Sequence, residues 1–170
     1  VRHKLIPRID QCLTVEDGIT SDHLRAYAED LLDNDAAMYM LRQDERYRSR
    51  VLRAISGIHL APPLAFKLTV AHCQRPEVFD HSLRVTLVAV YIALKAYFHS
   101  EKELVDLATA AVFHDLGILH VAPDLLKPGR VLDKSERHHL YAHPITAYLI
   151  LRDFPEYRPK ISKAVFEHHE

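Results

Sequence analysis

A carboxylate on a buried helical stripe is the feature that most constrains this chain. Leu104, Leu107, Ala108, Ala111 and Asp115 recur at helical spacing, which places Asp115 on the same apolar face as the residues before it. Desolvating an unpaired charge is costly, so any fold the chain adopts must bring Asp115 a cation, an arginine or a metal. His114 precedes it directly, and adjacent helical residues point about 100° apart. The two side chains therefore reach opposite flanks of a cleft, where one carboxylate can span two cations.

The surroundings of this stripe read as helices. Thr20-Ser21-Asp22 offers caps for a helix over about Asp22 to Asp33, carrying Leu24, Tyr27, Ala28, Leu31 and Leu32 at helical spacing. After Asn34-Asp35 a second helical stretch holds Met38, Leu41, Val51, Leu52 and Ile55 before Gly57, with Gln43-Asp44-Glu45-Arg46 as a solvated face. Val1 to Gly18 predicts a short helix or coil, broken by Pro7 and closed by the Asp17-Gly18 turn signal. Ala61-Pro62-Pro63 marks a junction, because proline cannot donate inside a helix and pushes the preceding residue toward extended backbone. A short helix from Leu64 to Gln74 follows, and then a long one from Pro76 to about His99, apolar almost all round from Val85 to Leu94 as a buried helix is.

Ser100 and Glu103 form a capping-box pattern for the stripe helix, and Gly117 is expected to end it in a left-handed conformation. Ile118 to Leu132, with Pro123, Pro128 and Gly129, reads as a loop that carries Lys127 and Arg130. Asp133 and Glu136 cap a further helix that bears His139 and His143, which Pro144 should kink so as to aim His143 sideways. Pro159 opens a last helix with Ile161, Ala164, Val165 and His168 as its stripe and His169 beside it. Glu77 and His81 stack one turn apart near the start of the long helix.

Composition narrows the function classes. With 22 Lys+Arg against 23 Asp+Glu, nothing supports a polyanion-binding surface, a nucleic acid polymer or an acidic tail. No apolar run approaches the ~20 residues of a membrane span, and no signal-peptide core precedes the first helix, so the chain reads as soluble with no membrane contact. Cys12 and Cys73 form no CxxC and fit a reducing cytosol as thiols. The 13 histidines matter through their positions. His81, His114-Asp115, His143 and His168-His169 each fall on a different helix. Imidazole and carboxylate donors without thiolate suit iron, manganese or zinc and exclude a structural zinc finger. One cation could not use all of them. Two could, with Asp115 bridging and a hydroxide between them as nucleophile, the arrangement of in-line phosphoester hydrolysis.

From Glu77 to Glu170 the chain resembles the HD superfamily of metal-dependent phosphohydrolases, and within it the HD-GYP cyclic-di-GMP phosphodiesterases. The resemblance is carried by His81-Ser82-Leu83-Arg84-Val85, Phe113-His114-Asp115-Leu116-Gly117, Leu126-Lys127-Pro128-Gly129, Glu136, His143-Pro144 and Glu167-His168-His169-Glu170. It implies an all-α HD-domain helical bundle and a bacterial cytoplasmic setting; the Pro62-Pro63 junction divides the chain into 1–61, an N-terminal helical segment or linker, and 62–170, the HD-like domain. It also implies two or three divalent ions, usually iron or manganese, held by His81, His114, Asp115, His143, His168 and His169, with Glu77 at the position of a third-metal ligand. His114 and Asp115 would be the catalytic pair, and a cyclic dinucleotide would be hydrolysed to the linear dinucleotide or to GMP. Where such proteins carry a phosphate-binding lysine after the HDxG glycine, this chain has Ile118; Lys127, Arg130 or Arg84 would replace that lysine. The Asp-Gly-x-Gly-Tyr-Pro motif of the family would follow Glu170, so the domain is expected to be C-terminally incomplete. A homodimer and an upstream sensor or receiver domain are the partners such a domain implies. Two alternatives stand beside this reading: an HD phosphohydrolase for another nucleotide, and a non-catalytic HD signalling or dimerisation module.

Overall fold

The computed structural model describes residues 18–97 and 100–170; the short helix or coil expected over Val1 to Gly18 therefore lies almost wholly outside the described residues. Among them the chain is all-α and holds no strand. Helix α1 spans Ser21–Asn34, α2 Tyr39–Arg42, α3 Glu45–Ser56, α4 Pro62–Gln74, α5 Pro76–Lys95, α6 Glu101–Phe113, α7 Lys134–Tyr141, α8 His143–Arg152 and α9 Pro159–Phe166. None is long and apolar enough to cross a membrane.

Capping chemistry sets most of these boundaries. Thr20 accepts from the His23 N–H, and the His23 ring accepts from the Thr20 N–H in return, a capping box built with imidazole. Proline opens α4, α5, α8 and α9 in the first turn, where a missing N–H costs nothing. The two prolines that mark the junction at 61 thus begin a helix at Pro62 instead of preceding one at Leu64. The stretch from Met38 to Ile55 is not one helix. Asp35 caps a 3₁₀ turn over Ala36–Met38, α2 follows, and Asp44 breaks the charged run by capping α3 through the Tyr47 N–H. An aspartate competes for backbone donors, so it starts a helix more readily than it continues one.

The pair α5 and α6 forms the centre, with α1, α3 and α4 packed around it and α8 and α9 closing the far end of the core. One buried cluster runs from Ile19 through Leu24, Val51, Leu64, Leu87 and Phe113 to Val165. Residues before Pro62 belong to it as fully as those after. Polar ties cross the same boundary: Thr69 Oγ1 accepts from the Ile19 N–H at 3.0 Å, and the Tyr157 hydroxyl accepts from Ala61 N–H at 3.0 Å while donating to the His59 carbonyl at 2.9 Å.

Several expectations are corrected. Helix α5 stops at Lys95, with Tyr97 in the left-handed region at φ 66°, so it does not run to His99, which lies outside the described residues. Its apolar surface is not wholly buried, since Val88 and Ile92 face outward. Ala164 is likewise exposed although it fits the stripe of α9. The proline-rich segment after Gly117 contains 3₁₀ turns at Leu116–His120 and Pro123–Leu126. Ser100 accepts from the Glu103 N–H as expected, whereas at α7 both arms of the Asp133–Glu136 box form. Gly117 takes no positive φ; α6 ends at Phe113 and passes into a 3₁₀ turn with the glycine inside it.

Asp106 fastens α9 to α6. Its carboxylate accepts from Arg158 and, at 2.9 Å, pairs with Lys160. Burial pushes this carboxyl upward, but the two cations outweigh it and hold it below the usual carboxylate range. A lowered folded-state pKa contributes stability that is complete above the unfolded value and disappears as pH falls through the folded one. Both cations are about half exposed, which screens the gain. Asp106→Asn should lower unfolding free energy by about 1 kcal/mol near neutral pH. The gap to wild type should close in acid, as measured by urea unfolding across a pH series; a pH-independent gap would refute the assignment.

Candidate metal centre

Three helix ends deliver the imidazoles. His114 caps the C-terminus of α6, His168 follows the C-terminus of α9, and His143 stands where α7 gives way to α8. At each, the ring Nδ1 lies on the carbonyl three residues back: Ala111 at 2.8 Å, Leu140 at 2.7 Å and Val165 at 2.7 Å. Carbonyls in a last helical turn lack intrahelical donors, and a carbonyl can only accept. Each Nδ1 must therefore carry the proton, which leaves the Nε2 lone pair pointing inward. Pro144 has a part in this. It has no N–H for the Leu140 carbonyl four residues back, and the His143 ring donates there. The expected kink is in fact a break, with α7 ending at Tyr141 and α8 starting at His143.

Asp115 sits among these rings with its side chain 15% exposed. One oxygen, Oδ2, faces His114 Nε2 at 3.3 Å and His81 Nε2 at 3.7 Å; the other, Oδ1, faces His143 Nε2 at 3.3 Å and His168 Nε2 at 3.7 Å. His169 joins through its Nε2, 3.1 Å from that of His143. The donors thus fall into two groups that could each hold an ion, His81–His114–Asp115 and His143–His168–His169, with the carboxylate oriented to both. His81 is 56% exposed and forms the open side.

The fit to cations follows from the proton positions. His143 and His168 place their Nε2 atoms 3.2 Å apart. With both Nδ1 protons committed to carbonyls, two lone pairs face each other across that gap, an arrangement that requires a cation or a proton between them. Burial pushes the Asp115 carboxyl upward, yet His114 and His143 outweigh it and hold it far below the usual range, so it stays ionised. Burial lowers His143, and Asp115 together with the Leu140 carbonyl more than offsets this, leaving it raised; burial together with His114 and His169 outweighs the Val165 carbonyl and keeps His168 low.

The remaining candidates lie elsewhere. Glu77 is exposed in the first turn of α5 and belongs to neither donor group. The three substrate candidates are each held by an acid: Arg84 pairs with Asp35 at 2.6 Å, Lys127 with Asp124 at 2.6 Å, and Arg130 with Glu136 while also donating to the Asp124 carbonyl. Ile118 is 6% exposed and points into the core. Sequence reasoning missed two supports of the site. One is the trio of carbonyls that set the tautomers, signalled by histidines placed just past helical stripes. The other is Gly117, where a Cβ would lie 2.0 Å from the His143 carbonyl oxygen, so that its bare Cα admits the backbone that carries His143.

A family model described as the HD domain matches residues 78–170, more than half of the chain. No curated protein and no solved structure matches it.

Proposed function

Because the chain belongs to the HD-domain family, whose members are in general metal-dependent phosphohydrolases, we propose that it is a phosphodiesterase acting on cyclic di-GMP through a centre of two or three divalent ions, iron or manganese. The observation that carries this reading is the bidirectional Asp115 carboxylate, with two histidines against each oxygen. A metal pair held there would polarise the phosphoryl oxygens as a Lewis acid and lower the pKa of water to give a nucleophile near neutral pH.

The chain's own residues do the rest. The carbonyls of Ala111, Leu140 and Val165 hold the three imidazoles in register, each with Nδ1 as the donor and Nε2 turned to the centre. Ionised Asp115 balances positive charge from both sides. The exposed His81 marks the face by which a substrate enters. Glu77, one turn before His81 on the same helix, would be the ligand of a further ion at that mouth.

A second reading, an HD phosphohydrolase for another nucleotide or a non-catalytic module, draws on the carboxylates that engage Arg84, Lys127 and Arg130. Purified protein loaded anaerobically with iron or manganese is to be incubated with cyclic di-GMP and a panel of nucleoside phosphates, and the products separated. Linear dinucleotide or GMP is the expected result. Turnover of another nucleotide, with cyclic di-GMP intact, would favour the other phosphohydrolase. Bound metal without any turnover would favour the module.

A further inference from the structure

The 3₁₀ turn that follows Asp115 also lines a second pocket, of about 340 Å³, between the end of α4 and the side of α7 that carries His139. Arg75 stands in its wall at the junction of α4 and α5. Its Nη2 donates to the Val121 carbonyl at 2.8 Å, while its Nη1 is buried with no acceptor. In contrast to Arg84, Lys127 and Arg130, no carboxylate among the described residues pairs with Arg75. No acid lines the pocket; its other polar side chains are Gln74, His120 and His139. Lys67, Val70 and Gln74 share one face of α4 at i, i+3 and i+7, and burial together with the Lys67 charge holds the His120 pKa below its usual value. A guanidinium is always charged, and its unpaired Nη1, shielded in this conformation, gains an acceptor in the pocket by a turn of the long side chain.

We infer that this pocket binds a phosphate group, with the Arg75 guanidinium as its principal donor. Gln74, His120 and His139 complete the wall with donors that suit phosphate oxygens, and Lys67 adds positive potential at the edge. A phosphate takes guanidinium N–H groups in preference to other acceptors because the charge-assisted bonds are short and strong. The site is distinct from the histidine cluster and does not depend on its chemistry. It is nevertheless close: a 3₁₀ rise of about 2 Å per residue sets His120 roughly 10 Å along the turn from Asp115. A nucleotide carrying a phosphate at each end can bridge that distance, and a separate phosphate ion can occupy the pocket alone.

Calorimetric titration of the metal-loaded protein with inorganic phosphate tests the inference. Arg75→Gln is expected to weaken binding at least about tenfold, as loss of a charge-assisted bond does. Gln74→Glu, which sets an anion in the pocket and leaves the Arg75–Val121 bond in place, should do the same and decides the matter if Arg75→Gln fails to fold. His114→Ala should leave phosphate binding within about twofold, since it alters only the other site. No binding by wild type, or binding that survives Gln74→Glu and is lost in His114→Ala, overturns the inference. Competition by a linear dinucleotide separates the two sources. Displacement that requires both Gln74 and His114 intact supports a phosphate of a substrate that bridges the sites, and displacement indifferent to His114→Ala supports a free phosphorylated ligand.

Discussion

Asp115→Ala should strip the protein of its metal. Both carboxylate oxygens are engaged, one with His114 and His81 and the other with His143 and His168, so a single substitution removes a donor from one group and the carboxylate that faces the other. Loss of a partner outside the ligand shell typically costs ~10–100-fold in metal affinity, and loss of a shared ligand should cost more. The histidines left behind offer only neutral donors, with no anion to balance the charge of a bound cation. Elemental analysis of anaerobically purified protein should find two or more ions per chain in wild type and fewer than one in the variant. A second readout separates metal loss from misfolding. A ligand present at ~100 times its dissociation constant adds about 2.7 kcal/mol to unfolding, so wild type should melt higher with manganese than without. Asp115→Ala should fold and show no such shift. A variant that keeps both its ions and its metal-dependent melting would exclude Asp115 as the shared ligand.

The helical class and the donors of this centre were legible because both are local signals. An apolar stripe with Asp115 on it needs only its own spacing to be read, and the prolines that open α5 and α9 announce themselves for the same reason. What stayed hidden depends on partners distant in sequence. Val88 and Ile92 have the same apolar character as Val90 and Leu87, and only the placement of neighbouring helices decides which pair is covered. Arg84 looks available until α1 and its following turn bring Asp35 to it from 49 residues away. Arg75 is the reverse case, an unremarkable residue before a proline that the fold leaves with a buried donor and no acid. The break between α7 and α8 is intermediate. Pro144 predicts a disturbance, but which donor takes the freed Leu140 carbonyl follows from the turn geometry that places the His143 ring there.

Gly117→Ala is expected to be the most damaging small substitution in the domain. The sequence offers this glycine as a helix terminator, for which alanine would be a modest loss, but the structure gives it a steric duty. A Cβ at this position would meet the His143 carbonyl oxygen at 2.0 Å, its carbonyl carbon at 2.8 Å and its Cα at 2.9 Å. These are backbone atoms at the start of α8, which cannot swing aside as a flexible side chain does. Relief requires moving the whole helix end, and with it His143 away from the Asp115 oxygen it faces at 3.3 Å. Overpacking of this kind costs about 1–3 kcal/mol and occasionally more, and a displacement of about 1 Å can cost ~10²-fold in rate. Gly129→Ala is the matched control. That glycine has φ 76° with open space around its Cα, so alanine there should carry only backbone strain of about 1–2 kcal/mol and leave the centre intact. Denaturant unfolding and metal content measured on both variants separate the effects: each loses stability, but only Gly117→Ala should lose metal. Equal metal retention in the two would mean that α8 accommodates the methyl group without moving His143, and that the close approach at Gly117 does not position the site.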